Sequence, residues 1–128
     1  MAAGLEAVAF QTRDLLTAMR KDMIVDGIEP ARTLRVDGGM TANGWAMQRL
    51  ADILGESIEV ASVAETTALG AAYHAGQAIG FYGDDDSLAA GWAPARVFEP
   101  AMSEAEREAR YAGWHEAVAR VCSRHDGI

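Results

Sequence analysis

The chain has 128 residues, half of them hydrophobic, enough for one small core and too few for two complete domains. Eleven Lys and Arg against 19 Asp and Glu leave a net charge of −8, so no basic footprint for a nucleic-acid backbone exists. The single Cys122 excludes an intrachain disulfide framework, and no stretch approaches the roughly 18 consecutive apolar residues of a membrane span. The start Met1-Ala2-Ala3-Gly4 has none of the basic and apolar character of a signal peptide, so a soluble, cytoplasmic chain is expected.

In chain order, Leu5, Val8, Ala9, Thr12, Leu15, Leu16 and Met19 recur at three- and four-residue steps and predict a helix of about five turns, with Gln11, Arg13 and Asp14 off its apolar stripe. Gly27 and Pro30 end that helix in a loop. Thr33–Asp37 reads as a short strand bounded by the Gly38-Gly39 pair. Thr41 or Asn43 can cap a second helix, with Met47, Leu50, Ala51 and Leu54 on one face and Gly55 as its stop. Ser57–Val60 predicts a second strand, and Thr66 or Thr67 opens a third helix that reaches about Gly80. Strands alternating with helices of this length predict parallel pairing through right-handed crossovers.

From Tyr82 to Pro100 the acidic run Asp84-Asp85-Asp86 and then Gly91, Pro94 and Pro100 predict a connecting loop with no regular element. Ser103 and Glu106 have the spacing of a capping box for a final helix, whose Tyr111, Trp114, Val118 and Val121 share a face that docks on the domain. The expected organisation is an α/β part over 2–81, a loop over 82–102 and a C-terminal helix over 103–124.

Chemistry is concentrated in Val36-Asp37-Gly38-Gly39-Met40-Thr41-Ala42-Asn43, a strand running into paired glycines and a capped helix. Glycines there can take positive φ and admit a ligand to the backbone, and the following helix start offers N–H groups and a positive dipole end. Nucleotide or phosphate binding is the function this pattern suggests, although an ordinary tight strand-to-helix turn has the same spacing. Neither the G-x-G-x-x-G of dinucleotide-binding folds nor the G-x-x-x-x-G-K-[ST] phosphate loop is present. The small residues Ala68, Gly70, Ala71, Ala72, Ala75 and Gly76 read as close helix-to-sheet packing. Asp84–Asp86 reads as a solvated charge run, and His74, His115 and His125 share no metal-ligand spacing.

The stretch Leu34–Asn43, followed by Met47-Gln48 and Ala51-Asp52-Ile53-Leu54-Gly55, closely resembles the C-terminal domain of the FGGY carbohydrate kinases, and within them that of the glycerol kinases. Three further stretches agree in order: Ala7–Asp14, Thr67–Tyr73 with Gly80-Phe81, and Arg110–Trp114 with Ala117-Val118. The resemblance implies the C-terminal part of an RNase-H-like, actin-like ATPase domain, with ATP or ADP and Mg²⁺ in an interdomain cleft and glycerol as phosphoryl acceptor. It assigns nucleotide contacts to Gly39 and Asn43, with Gly38 as their neighbour. This sequence departs from the family at Met40-Thr41 and at Gly44. The family's catalytic Asp lies upstream of anything that matches here, and its polyol-binding residues lie mostly in the other domain. No catalytic residue and no metal ligand is therefore assigned, and Asp37 is read as a turn or cleft residue. The expected function is the nucleotide-binding part of a glycerol kinase, inactive alone. Another FGGY sugar kinase, or a non-catalytic nucleotide-binding or interaction module, is the alternative. The resemblance also implies that three strands preceding the first helix are absent. That leaves the edge of Thr33–Asp37 open to self-association or homo-oligomer formation.

Overall fold

The computed structural model describes residues 2–62, 66–83 and 93–122. Helix α1 (Ala2–Val25) leads through Gly27, at φ 74°, to strand β1 (Thr33–Val36). A 3-10 turn (Gly39–Ala42) precedes α2 (Gly44–Leu54), and β2 (Ser57–Ala61), α3 (Thr66–Ala78), β3 (Pro94–Phe98) and α4 (Glu104–Val121) follow. The sheet order is β1-β2-β3. β1 and β2 run parallel, with Leu34 beside Ile58 and Val36 beside Val60, as the alternation of strand and helix predicts.

Strand β3 corrects the expectation that 82–100 holds no regular element. It pairs antiparallel to β2, with Phe98 opposite Ile58 and Arg96 opposite Val60. Its Pro94 lies at the first position of an outer strand, where the missing N–H is tolerated. Reading Pro94 as a breaker hid the strand. The Asp84–Asp86 run and His125 lie outside the described residues.

The core forms where α2 covers one face of the sheet. Ile53 and Ile58 are fully buried, with Ala46, Met47, Leu50, Ala51 and Val60 around them and Leu34, Val36 and Phe98 packed at the edge. Each fully buried Ile of this kind contributes about 1.5–3 kcal/mol. Helix α1 packs on α2 through Ala9 and Phe10, while Val8, Leu15 and Met19 of the predicted stripe are exposed. Among the described residues β1 is the outer strand on its side of the sheet. The small-residue run of α3 is mostly exposed instead of seated on the sheet. Only Gly76 is buried, under the Tyr82 ring, where an added Cβ would come within 2.2 Å of a ring carbon.

The supposedly outward Arg13 and Asp14 of α1 instead receive α4. Phe10 stacks with Trp114 at 5.5 Å and with Tyr111 at 6.5 Å between ring centroids. Arg13 lies 3.9 Å from the centroid of the Tyr111 ring and makes two hydrogen bonds to Glu108, at 2.7 and 2.8 Å. The Asp14 carboxylate accepts from the Tyr111 hydroxyl and, at 2.8 Å, from the Trp114 indole N–H. Tyr111 and Trp114 thus anchor the core, as their spacing predicts, while Val121 at the end of α4 stays exposed. Asp52, buried on α2, accepts from the backbone N–H of Ala101 at 2.8 Å and of Met102 at 3.2 Å, and so pins the link between β3 and α4.

Two expectations follow. Asp52→Ala orphans two backbone N–H groups and costs about 3 kcal/mol in urea-induced unfolding, and Asp52→Asn, which keeps one acceptor oxygen, costs less. Burial opposes ionisation of Asp14. The hydrogen bonds from Tyr111 and Trp114, and then the charges of His115 and Arg13, outweigh it and hold the carboxyl below its usual value. A depressed folded-state pKa gives stability that is present above the ordinary Asp pKa of about 3.9 and is lost as pH falls through the folded value. Trp114 fluorescence should therefore report acid loosening of α4 below that pH, and Asp14→Asn should loosen α4 already at neutral pH and flatten the acid transition.

Candidate functional site

The C-terminal ends of the two parallel strands open into a cleft of about 700 Å³. In open α/β sheets this end is where ligands bind, because loops rather than side chains of the next element close it. Asp37, Gly38 and Gly39 line it after β1, and Ala61 and Ser62 at the end of β2. Thr66 and Thr67 enter from the start of α3, and Arg96 from β3.

The glycine pair has a division of labour that the sequence does not reveal. Gly38 has φ 91° and ψ 175°, a conformation that essentially only glycine adopts without strain. Gly39 has no positive φ, so of the two glycines that could take that conformation only Gly38 does. At Gly39 the feature is open space, since an added Cβ would meet nothing within 4 Å. The Thr41 N–H and hydroxyl both donate to the Gly38 carbonyl, at 3.1 and 2.7 Å, and close the turn.

The helix proper starts later than the glycines suggest. A 3-10 turn separates Gly38 from α2, and Asn43, not Thr41, is the N-cap, its Oδ1 accepting from the Ala46 N–H at 3.1 Å. The first turn of α2 is therefore capped internally and does not directly follow the glycines. Of the three residues assigned to a nucleotide, Gly38 and Gly39 line the cleft, and Asn43 sits exposed at the far end of the 3-10 turn, outside the lining. Asp37 lies at the rim as expected. Arg96 is the residue that sequence reasoning missed. Its guanidinium donates to the Thr41 carbonyl, and the only available signal was that Pro94–Phe98 alternates weakly inside a stretch read as loop. Among the described residues no group of three or more His, Cys, Asp or Glu could hold a metal ion, and Asp37 is the only carboxylate in the lining.

The sheet with its flanking helices places the chain among sugar-kinase folds: a ligand-bound xylulose kinase from Lactobacillus acidophilus superposes with a TM-score of 0.69 at 18% identity, over 91% of this chain and 22% of that one. The match to the crystal structure of Plasmodium falciparum glycerol kinase with ADP is tighter, with a TM-score of 0.78 at 36% identity over 94% of this chain and 23% of that one. Residues 1–79 match the C-terminal domain of the FGGY family of carbohydrate kinases, and the chain belongs to that family. It is 53% identical to a glycerol kinase of Alcanivorax borkumensis over 98% of its own length and 24% of that protein's. Glycerol kinase 1 of Pseudomonas aeruginosa is 54% identical over 94% of this chain and 24% of its own length. The chain thus spans about a quarter of the length of the curated relatives it matches.

The two glycines should respond differently to substitution. Gly38→Ala forces an L side chain into glycine-only backbone and should cost about 1–3 kcal/mol of stability. Gly39→Ala adds a methyl to open space at ordinary φ and should leave unfolding by urea nearly unchanged. Equal losses at the two positions would contradict this assignment.

Proposed function

We propose that this chain is the nucleotide-binding part of a glycerol kinase, which moves the γ-phosphoryl group of ATP to a glycerol hydroxyl, and that Gly39 and Asn43, with Gly38 as neighbour, meet the nucleotide. The observation that carries the reading is the Gly38–Gly39 turn lying open on the cleft at the ends of parallel strands. The cleft volume lies in the range of ordinary ligand sites, and the relative most similar in structure among those described is a glycerol kinase with ADP. The chemistry of the turn fits a nucleotide: backbone without a Cβ in its way can approach a flat base or a phosphate, and Thr41 holds the turn closed beneath it. Among the described residues the lining holds one carboxylate, Asp37, which does not make up a magnesium site, so no step of this reading runs through Mg²⁺.

Phosphoryl transfer depends on positioning donor and acceptor and on preorganised charge about the reacting atoms. The resemblance assigns the base to a segment upstream of anything that matches here and the polyol pocket mostly to the other domain. We therefore assign this chain binding without turnover, as part of a cytoplasmic kinase. Titration calorimetry with ADP combined with a coupled assay for glycerol-dependent ADP release tests it. Weak ADP binding and no turnover are expected, and measurable turnover by the pure chain would overturn the division of roles. In a full-length enzyme carrying this segment, Gly39→Val should raise the KM for ATP far more than that for glycerol. An effect on glycerol alone would misplace the site.

The outer position of β1 and the exposed Val8, Leu15 and Met19 of α1 support a second part of the proposal. An open strand edge beside an apolar helix face recruits a partner strand, so the isolated chain self-associates through it. Sedimentation at rising concentration should show association that Arg35→Pro on the edge strand or Leu15→Lys on the helix weakens, whereas a concentration-independent monomer would rule it out.

A further inference from the structure

Strand β3 carries one feature that the glycine turn alone does not explain. Its pairing with β2 is regular from Phe98 to Arg96 and then skips, so that Arg96 lies opposite Val60 but Pro94 opposite Ala61. Ala95 is thus an extra residue on β3. A bulge of this kind sharpens the local twist and re-aims the neighbouring side chain. Because directly opposed residues of an antiparallel pair share a face, Arg96 is on the side of the sheet that α2 covers, together with Phe98, Ile58 and Val60. Its guanidinium carbon lies 5.5 Å from the Phe98 ring centroid, and its Nη2 donates to the Thr41 carbonyl. Thr41 in turn donates twice to Gly38. A continuous chain of hydrogen bonds therefore runs from β3 to the glycine whose backbone conformation is the most demanding in the site.

We infer that Arg96 is a positioning residue for the nucleotide turn, an inference that rests on the nucleotide reading of the cleft given above. Arg96 acts through the Thr41 carbonyl: it fixes the 3-10 turn against the sheet, so that the backbone at Gly38 and Gly39 is held in its binding geometry before a ligand arrives. Binding to a preorganised turn does not bear the ordering cost that a loose turn would impose. Arg96 lies outside residues 1–79, so the match to the family's C-terminal domain does not include it.

The test uses the whole 128-residue chain, isotopically labelled, with Arg96→Ala and Arg96→Lys, and has two readouts. In the ligand-free chain, amide hydrogen exchange at Thr41, Ala42 and Asn43 should quicken about fivefold in Arg96→Ala, about the size of one net hydrogen bond. Exchange across Leu50–Leu54 of α2 should not change, and Arg96→Lys should restore most of the protection. Unchanged exchange at the turn, or equal loosening of α2, would overturn the positioning role whether or not any nucleotide binds. In titrations followed by amide shifts, Arg96→Ala should weaken ADP, AMP and adenosine by the same factor, because the turn and not a phosphate is what Arg96 holds. A loss confined to ADP would instead make Arg96 a phosphate contact and contradict the inference. Failure of the unsubstituted chain to bind any of the three would count against the nucleotide reading alone, since the exchange readout still decides whether Arg96 braces the turn.

Discussion

Burial of α2 between the sheet and α1 is the constraint from which the rest of the structure hangs. One side of this helix rests on Ile58 and Val60, and α1 covers it through Ala9 and Phe10. Both ends are held by local chemistry, with Asn43 capping the start and Gly55, at φ 70°, turning the chain at the end. The Gly55 N–H donates to the Ala51 carbonyl at 2.8 Å, and the Arg107 side chain lies where a Cβ would be, so no other residue fits there without displacement. In the last turn, Asp52 ties in the segment before α4, while Glu6 pairs with Arg49 at 3.2 Å and with Arg110 at 3.4 Å. A short helix with few polar positions thus organises four other elements.

The cleft inherits its shape from this arrangement. Because α2 is fixed at Asn43, the six residues between Val36 and Asn43 must turn within a short span, and the conformation of Gly38 is the result. That turn carries open backbone instead of side chains, which suits a ligand recognised by shape and hydrogen bonds to the main chain. Asp37 and Arg96 bring one charge of each sign to the rim, so the site as described has no strong electrostatic bias of its own.

Much of this was legible in the sequence where residue type and period agree. Gly27 and Gly55 as stops, the parallel strands around a capped helix, and Tyr111 with Trp114 as one face all follow from spacing. The misreadings have specific physical causes. Period alone placed Val8, Leu15 and Met19 on the buried stripe of α1, but helical phase does not say which neighbours are there to bury them, and the side facing α2 and α4 centres on Phe10 and Arg13 instead. Arg13 and Asp14 looked solvated because their partners lie near residue 110, a separation that no local window spans. Strand β3 was hidden because Pro94 breaks most strands and is harmless only at the first position of an outer one. Losing β3 meant losing Arg96, whose guanidinium donates to the Thr41 carbonyl of the glycine turn.

The central claim is that the Gly38–Gly39 turn and the β3 side of the cleft receive an adenine nucleotide. Photolabelling with an azido derivative of ADP, followed by peptide mapping of the crosslinked chain, tests it directly and captures even weak binding. The account predicts label within Asp37–Asn43 and Pro94–Phe98 that excess ADP displaces. Label concentrated on α1 or α4, or label that ADP does not displace, would contradict it.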